Sequence, residues 1–194
     1  MRLFARRRSL ASLAASLVIA VLLGLGIPPV RGAAPPVHGQ GSDRASVLLR
    51  LWNAEDTGDV DGAIAQFAGD AVYIGTMPKG NCSVQTPCTD LPGIRQQIQR
   101  NMGIHFCTTI HWLQVSGAVL TGEREIQSDY DFSIGVDHIV QNFIAVVTQD
   151  KITFIAGVLN LGDAETAVAH AIDEGTQASR APIISARPPC AQLL

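Results

Sequence analysis

Asn53-Ala-Glu-Asp-Thr-Gly-Asp-Val-Asp-Gly-Ala-Ile-Ala-Gln-Phe-Ala-Gly-Asp-Ala-Val-Tyr73 is the stretch that decides the fold. Its first residues close a helix that Asp43 is placed to cap. In that helix Val47, Leu48, Leu51 and Trp52 fall at i, i+1, i+4 and i+5 and make one apolar face. Gly58 stops the helix, and Asp59 is placed to cap a second, short one whose core side is Val60, Ile64 and Phe67. The run AVYIGTM that follows is β-prone and gives way to a Pro-, Gly- and Cys-containing loop over 78–90. Working outward, Pro92 opens a third helix that ends near Gly103. Strands are then expected over 104–115, 118–130, 138–148 and 151–160, with Gln149-Asp150 turning the last two into a hairpin. DAETAVAHAID is a final short helix, and 173–194 reads as a loose, Pro-containing tail. Helices first and strands later predict an α+β domain over 43–172, a curved antiparallel sheet wrapped around the N-terminal helices.

The N-terminus reads as an address. MRLFARRRS is basic, Leu10 to Ile27 is an uncharged apolar stretch, and Val30 and Gly32 stand at a spacing that a signal peptidase accepts. Residues 1–32 are therefore read as a secretory signal peptide, with a retained membrane anchor as the rival. Residues 33–42 are read as a flexible Pro/Gly leader. The first 32 residues carry five arginines and no acid, so their removal moves the net charge from −3 to −8, nine basic against seventeen acidic residues. That balance argues against nucleic acid or an anionic membrane as partner. Secretion or a periplasmic location is the expected compartment, without stable membrane insertion after cleavage.

All four cysteines lie in the exported part, where disulfides persist. Cys82 and Cys88 bracket a short polar loop and are expected to pair, which leaves Cys107 for Cys190. The spacings lack a paired C-x2-C, so no metal is expected; no organic cofactor is expected either.

With these elements in order, the chain resembles the nuclear transport factor 2-like superfamily, in particular its SnoaL-like and ketosteroid isomerase-like branches. The resemblance rests on Asn53–Tyr73, on LPGIRQQIQ, and on HIVQNFIAVVTQDKITFI, whose turn Asp150-Lys151-Ile152 lacks the family's Gly. It spans about 43–165 and implies a cone, a bent sheet closed at one end by helices around an internal apolar pocket, often dimeric through the outer sheet face. It implies no single chemistry. The isomerase positions for Tyr, oxyanion-holding acid and base are taken by Leu51, Asn142 and Gly75. Of the epoxide-hydrolase pattern, Tyr73 matches the Tyr and Glu125 stands at one acid. Gly75, Glu123 and Gly157 replace the Asn, the Arg and the second acid, and Arg124 sits one residue off, on the opposite side of its strand.

Candidate residues follow from both readings. Glu123 and Glu125 share a strand face by alternation, either a cavity acid/base pair or a solvent-facing row. His105 and His111, at even separation, are expected on one face, with His111 a candidate base beside Trp112. His138 follows Asp137 at a strand start. Of Gln141 and Asn142 one must point inward, and Asn142 is the expected pocket amide. Trp52, Tyr73 and Phe143 are the expected pocket wall. Two functions compete: a binding domain for a small hydrophobic molecule, or dimeric scaffold, and a small lyase, isomerase or hydrolase using Glu125 and His111.

Overall fold

The computed structural model describes residues 40–76, 81–183 and 190. The segment expected to be a signal peptide and most of the expected leader, residues 1–39, lie outside these. Among the described residues no helix is long and apolar enough to cross a membrane.

The first helix, α1 (Gln40–Thr57), begins ahead of the expected cap, so Asp43 sits inside its first turn. Asp59 does cap α2 (Val60–Ile64), its carboxylate accepting from Gly62 N. This helix is shorter than expected, because Phe67 already opens β1 (Phe67–Ile74). Asp90 caps α3 (Leu91–Gly103), accepting from Gly93 N one residue beyond Pro92. Then come β2 (Cys107–Ser116), β3 (Val119–Gln127), a one-turn helix α4 (Asp129–Ser133), β4 (Ile139–Thr148), β5 (Lys151–Leu159) and α5 (Ala164–Asp173). The α4 turn replaces the expected end of the second long strand: Ser128 breaks the alternation and caps the helix through Asp131 N.

The five strands form one sheet in the order β1-β5-β4-β3-β2. β2 to β5 are a consecutive antiparallel run, and β1 closes the other edge by pairing parallel to β5. Gln149 and Asp150 both take positive φ (50° and 58°), the conformation of a two-residue hairpin turn, without the glycine that usually relieves it. The inner sheet face packs on α1 and α3: Leu48, Leu51 and Trp52 meet Leu120, Phe143, Ala145 and Ile152, with Ile94 and Ile98 alongside. Removing this apolar surface from water is what holds the helices in the mouth of the sheet. The helix α5 covers one end of the sheet, where Ala169 packs with Ile126, Val136 and Ile139 and Thr166 Oγ1 accepts from Val140 N at 2.7 Å.

Cys82 is bridged to Cys88 and Cys107 to Cys190. The smaller loop is laced to β1, since Tyr73 and Cys88 exchange backbone hydrogen bonds of 2.9 and 3.1 Å. The tail is not loose over its described part. Arg180 N and Ile183 N donate to the carbonyls of Ile134 and Phe132, and Arg180 pairs with Glu165 at 2.8 Å. Its backbone amides thus give the carbonyls at the end of α4 the partners that a covered backbone requires.

Candidate functional site

Register on the sheet determines the site. Gly122, Phe143 and Gly157 lie side by side on β3, β4 and β5, and so do Arg124, Gln141 and Leu159. Both rows face the helices. A Cβ on Gly157 would stand 2.3 Å from Gln141 Nε2, so the bare backbone there is what lets Gln141 lie across the sheet. Gln141 Oε1 accepts from Arg124 Nε at 2.6 Å. The guanidinium carbon sits 4.8 Å from the Trp52 ring centre, and Trp52 meets Phe143 edge-on at 4.9 Å. The side chain of Arg124 is thus stacked on one side and hydrogen-bonded at one nitrogen, with only 4% of the residue exposed.

The helices supply the opposite wall. Gln97 Nε2 donates to Asn101 Oδ1 (2.9 Å), and Asn101 Nδ2 donates to Glu55 Oε1 (3.0 Å), a buried relay running from α3 to α1. Tyr73 enters from β1, and the Arg124 guanidinium and Asn101 amide both reach toward its hydroxyl. Between the walls lies a small cavity of about 30 Å³, bounded by Tyr73, Gln97, Arg124, Gln141, Phe143 and Ile155. Its interior is mixed: one wall is aromatic and aliphatic, and the floor carries amides, a phenol and a guanidinium. Two of its buried polar atoms, Arg124 Nη1 and Gln97 Oε1, have no hydrogen-bond partner among the described residues. No carboxylate of the described residues lies within 4.0 Å of the guanidinium.

Burial dominates the electrostatics. It raises the Glu55 carboxyl above its ordinary range, against the opposing pull of Arg124 and the Asn101 hydrogen bond. It pushes Tyr73 up to about 12, helped by the charge of Glu55, so the phenol stays a hydrogen-bond donor. It also lowers Arg124, while Glu55, Tyr73 and Asp56 act in the opposite sense. The arrangement offers two donors to a ligand oxygen and one carboxyl able to hold or release a proton nearby.

A second recess of about 210 Å³ lies on the other side of Phe106, which lines both spaces. Asp56, Met102, His105 and Cys190 border it. Asp56 Oδ2 accepts from Thr108 N at 3.2 Å, whereas Oδ1 is buried without a partner among the described residues. Burial, followed by the neighbouring Glu55 charge against the Thr108 bond, lifts this carboxyl to about 7.

Of the residues expected from sequence, Tyr73 and Phe143 line the cavity, whereas Trp52 does not line it and packs instead against Arg124 and Phe143. Asn142 does not. It stands opposite Glu123 and Val158 on the outer face, and Gln141 is the inward amide. Glu125 and His111 are brought together, but outside: His111 bridges Glu123 (3.1 Å) and Glu125 (3.4 Å), and Asn160 donates to Glu123 at 2.9 Å. The reason is parity. The inward residues of β3 are Leu120, Gly122, Arg124 and Ile126, so the acids between them face out. His105 and His111 do not share a strand: His105 lies in the turn before β2, paired with Asp129, and an irregularity between Ile110 and Trp112 re-aims the strand at His111. His138 lies between Asp137 and Asp163 at the start of β4, and these partners raise its pKa against burial. Among the described residues no three His, Cys, Asp or Glu side chains cluster as a metal site.

Sequence reasoning misses Glu55, Gln97, Asn101 and the inward turn of Arg124. Glu55 has a signal: it follows Leu48, Leu51 and Trp52 on the same helical stripe, an acid at a core position.

No protein-family model matches the chain, and neither does any curated protein. Solved structures do match. An LEH-like epoxide hydrolase of Mycobacterium tuberculosis aligns at 14% identity over 71% of this chain and 98% of its own, with a TM-score of 0.53. Protein RV0760c of the same organism aligns at 15% identity over 64% and 96%, TM-score 0.53. A de novo designed protein with a curved β-sheet aligns at 11% identity over 72% and 100%, TM-score 0.50. At such identities the likeness establishes the fold alone, a curved sheet with helices that is consistent with the cone of nuclear transport factor 2-like proteins. That a designed chain shares it underlines that the cone alone specifies no reaction.

Proposed function

We propose that this is an exported, disulfide-stapled binding domain whose inner cavity receives the polar end of a small, mostly apolar molecule. The observation that carries the reading is the pair of buried, unpartnered polar atoms, Arg124 Nη1 and Gln97 Oε1, facing a space walled by Phe143 and Ile155. Buried polar groups are costly unless hydrogen-bonded; an acceptor on a bound head group satisfies Arg124 Nη1, and a donor on the ligand satisfies Gln97 Oε1. Phe143, Ile155 and Tyr73 supply the apolar contact that such sites use for affinity. The paired cysteines fit an oxidising compartment, which agrees with export. Self-association through the outer sheet face, where Trp112 is 41% and Val158 37% exposed, belongs to the same reading.

A second reading is an enzyme of the lyase, isomerase or hydrolase type. The buried Glu55, with its raised carboxyl, favours it as a proton-transfer group beside the Arg124 and Tyr73 donors. Glu125 and His111 have no access to that space from the outer face.

Native mass spectrometry of the protein purified from an oxidising compartment tests the proposal. A mass lost on denaturation, and reduced in an Arg124→Gln variant, is the expected result. The same spectra report the dimer and the removal of residues 1–32. Its absence in the wild-type protein, both as purified and after incubation with a small-molecule panel, rejects the binding reading.

A further inference from the structure

We infer that the head group seated on Arg124 is a carboxylate, a step that rests on the binding reading above. Buried charges in proteins are normally paired with an opposite charge, because leaving one unpaired costs several kcal/mol. Arg124 is buried, yet its direct partners are neutral: the Gln141 amide at Nε, the Tyr73 phenol and the Trp52 ring across its face. Glu55 is the acid that acts on it most strongly, but the hydrogen bond Glu55 makes is to Asn101, and it does not touch the guanidinium. The ionisable groups that act on Arg124 are Glu55 and Asp56 on α1 and Tyr73 on β1. From the buried side of α3 come the uncharged Gln97 and Asn101. Nη1 therefore points into the cavity with its hydrogen-bonding capacity unused, and a charge-assisted bond to an anionic oxygen satisfies hydrogen bond and charge together.

Shape narrows the class. The cavity is about 30 Å³, so the part of the ligand that enters is the size of a carboxylate and its first carbons. Phe143, Ile155 and Ala156 form the adjoining wall, which suits an aliphatic or aromatic body rather than a sugar. The ligand class is a compact monocarboxylic acid. A neutral amide of the same shape accepts from Nη1 and can also donate to Gln97 Oε1, which an ionised carboxylate cannot do, so an acid that binds more tightly than its amide does so through its charge.

The test uses the mature, oxidised protein and ligand-observed NMR with a matched series from propanoate to octanoate, together with the corresponding amides and alcohols, at neutral pH. Calorimetry measures the tightest pair. The expected result is that acids bind at least about tenfold more tightly than their amides, equivalent to about 1.4 kcal/mol. Arg124→Lys keeps the preference and Arg124→Gln abolishes it. Amides binding as tightly as acids overturns the carboxylate inference while leaving the binding reading intact. Binding of neither in the wild-type protein removes both. The wild-type comparison needs no variant, so poor folding of Arg124→Gln does not spoil the test.

Discussion

Replacing Asp56 by Asn makes the sharpest prediction about stability. The carboxyl is half-buried, one oxygen held by Thr108 N and the other unpartnered among the described residues, and its pKa rises from 3.8 to about 7. A carboxyl whose folded pKa lies above its unfolded one destabilises the fold once the unfolded chain ionises. The penalty is therefore absent below about pH 4, grows as pH rises, and is complete above about pH 7. A rise of that size corresponds to about 4 kcal/mol, at about 1.36 kcal/mol for each tenfold change in proton affinity. The group is partly open to solvent, and screening reduces the figure to roughly 2 kcal/mol. Asn keeps the oxygen that accepts from Thr108 and has no charge to desolvate. Asp56→Asn is thus expected to be more stable than wild type by roughly 2 kcal/mol near pH 8 and equal to it near pH 4. Urea unfolding of both proteins with disulfides intact, at the two pH values, reads the difference directly as a shift in midpoint at constant slope. A variant that is less stable near pH 8, or that differs from wild type equally at both pH values, refutes the reasoning.

Other outcomes follow from the site and the staples. Gly157→Ala forces a methyl group to within 2.3 Å of Gln141 Nε2, so it is expected to displace Gln141 from Arg124 and to weaken ligand binding about tenfold or more by calorimetry. Phe143→Ala leaves a void beside Trp52 and is expected to cost about 3–5 kcal/mol in urea unfolding. Glu125→Gln removes one partly buried, outer-face partner of His111, with an expected stability change under about 1 kcal/mol and ligand binding unchanged. The double variant of Cys107 and Cys190 to Ser opens a loop with a sequence separation of 83, against 6 for Cys82 and Cys88. Chain entropy gives about 4.5 kcal/mol for the long loop and about 2 for the short one. Equal losses for the two double variants contradict that account.

The fold was readable because its signals are local and ordered. The Gly58-Asp59 stop and restart and the Gln149-Asp150 turn each state their own geometry, and both appear in the structure. The site was harder, because it depends on which parity of a strand faces in, and alternation alone is symmetric. On β3, charge alternates with charge over Glu123-Arg124-Glu125. What settles the matter is that Leu120, Gly122 and Ile126 share the parity of Arg124, so the arginine travels inward with the core. On β4 the same ambiguity exchanged Gln141 for Asn142, although Phe143, correctly expected inside, shares the parity of Gln141. The irregularity at His111 has no sequence signature at all.

The parallel pairing of β1 with β5 also orders events in time. Phe67 meets Ile152 and Ile74 meets Ala156, so the earliest strand of the chain finds its partner only in the last one. The β4–β5 hairpin closes through a two-residue turn, whereas β1 must wait for some eighty residues of intervening chain. Contacts at such separation are slow to form. Until β1 docks, β5 presents an open edge bearing Ile152 and Ile155, the kind of edge that recruits other chains. The Cys82–Cys88 bridge, which can close as soon as its own short loop exists, shapes the segment that laces onto β1 well before the sheet is ready to receive it. An early local crosslink therefore serves a late, long-range closure, and the yield of folded protein should follow the oxidant supplied while the chain is still incomplete.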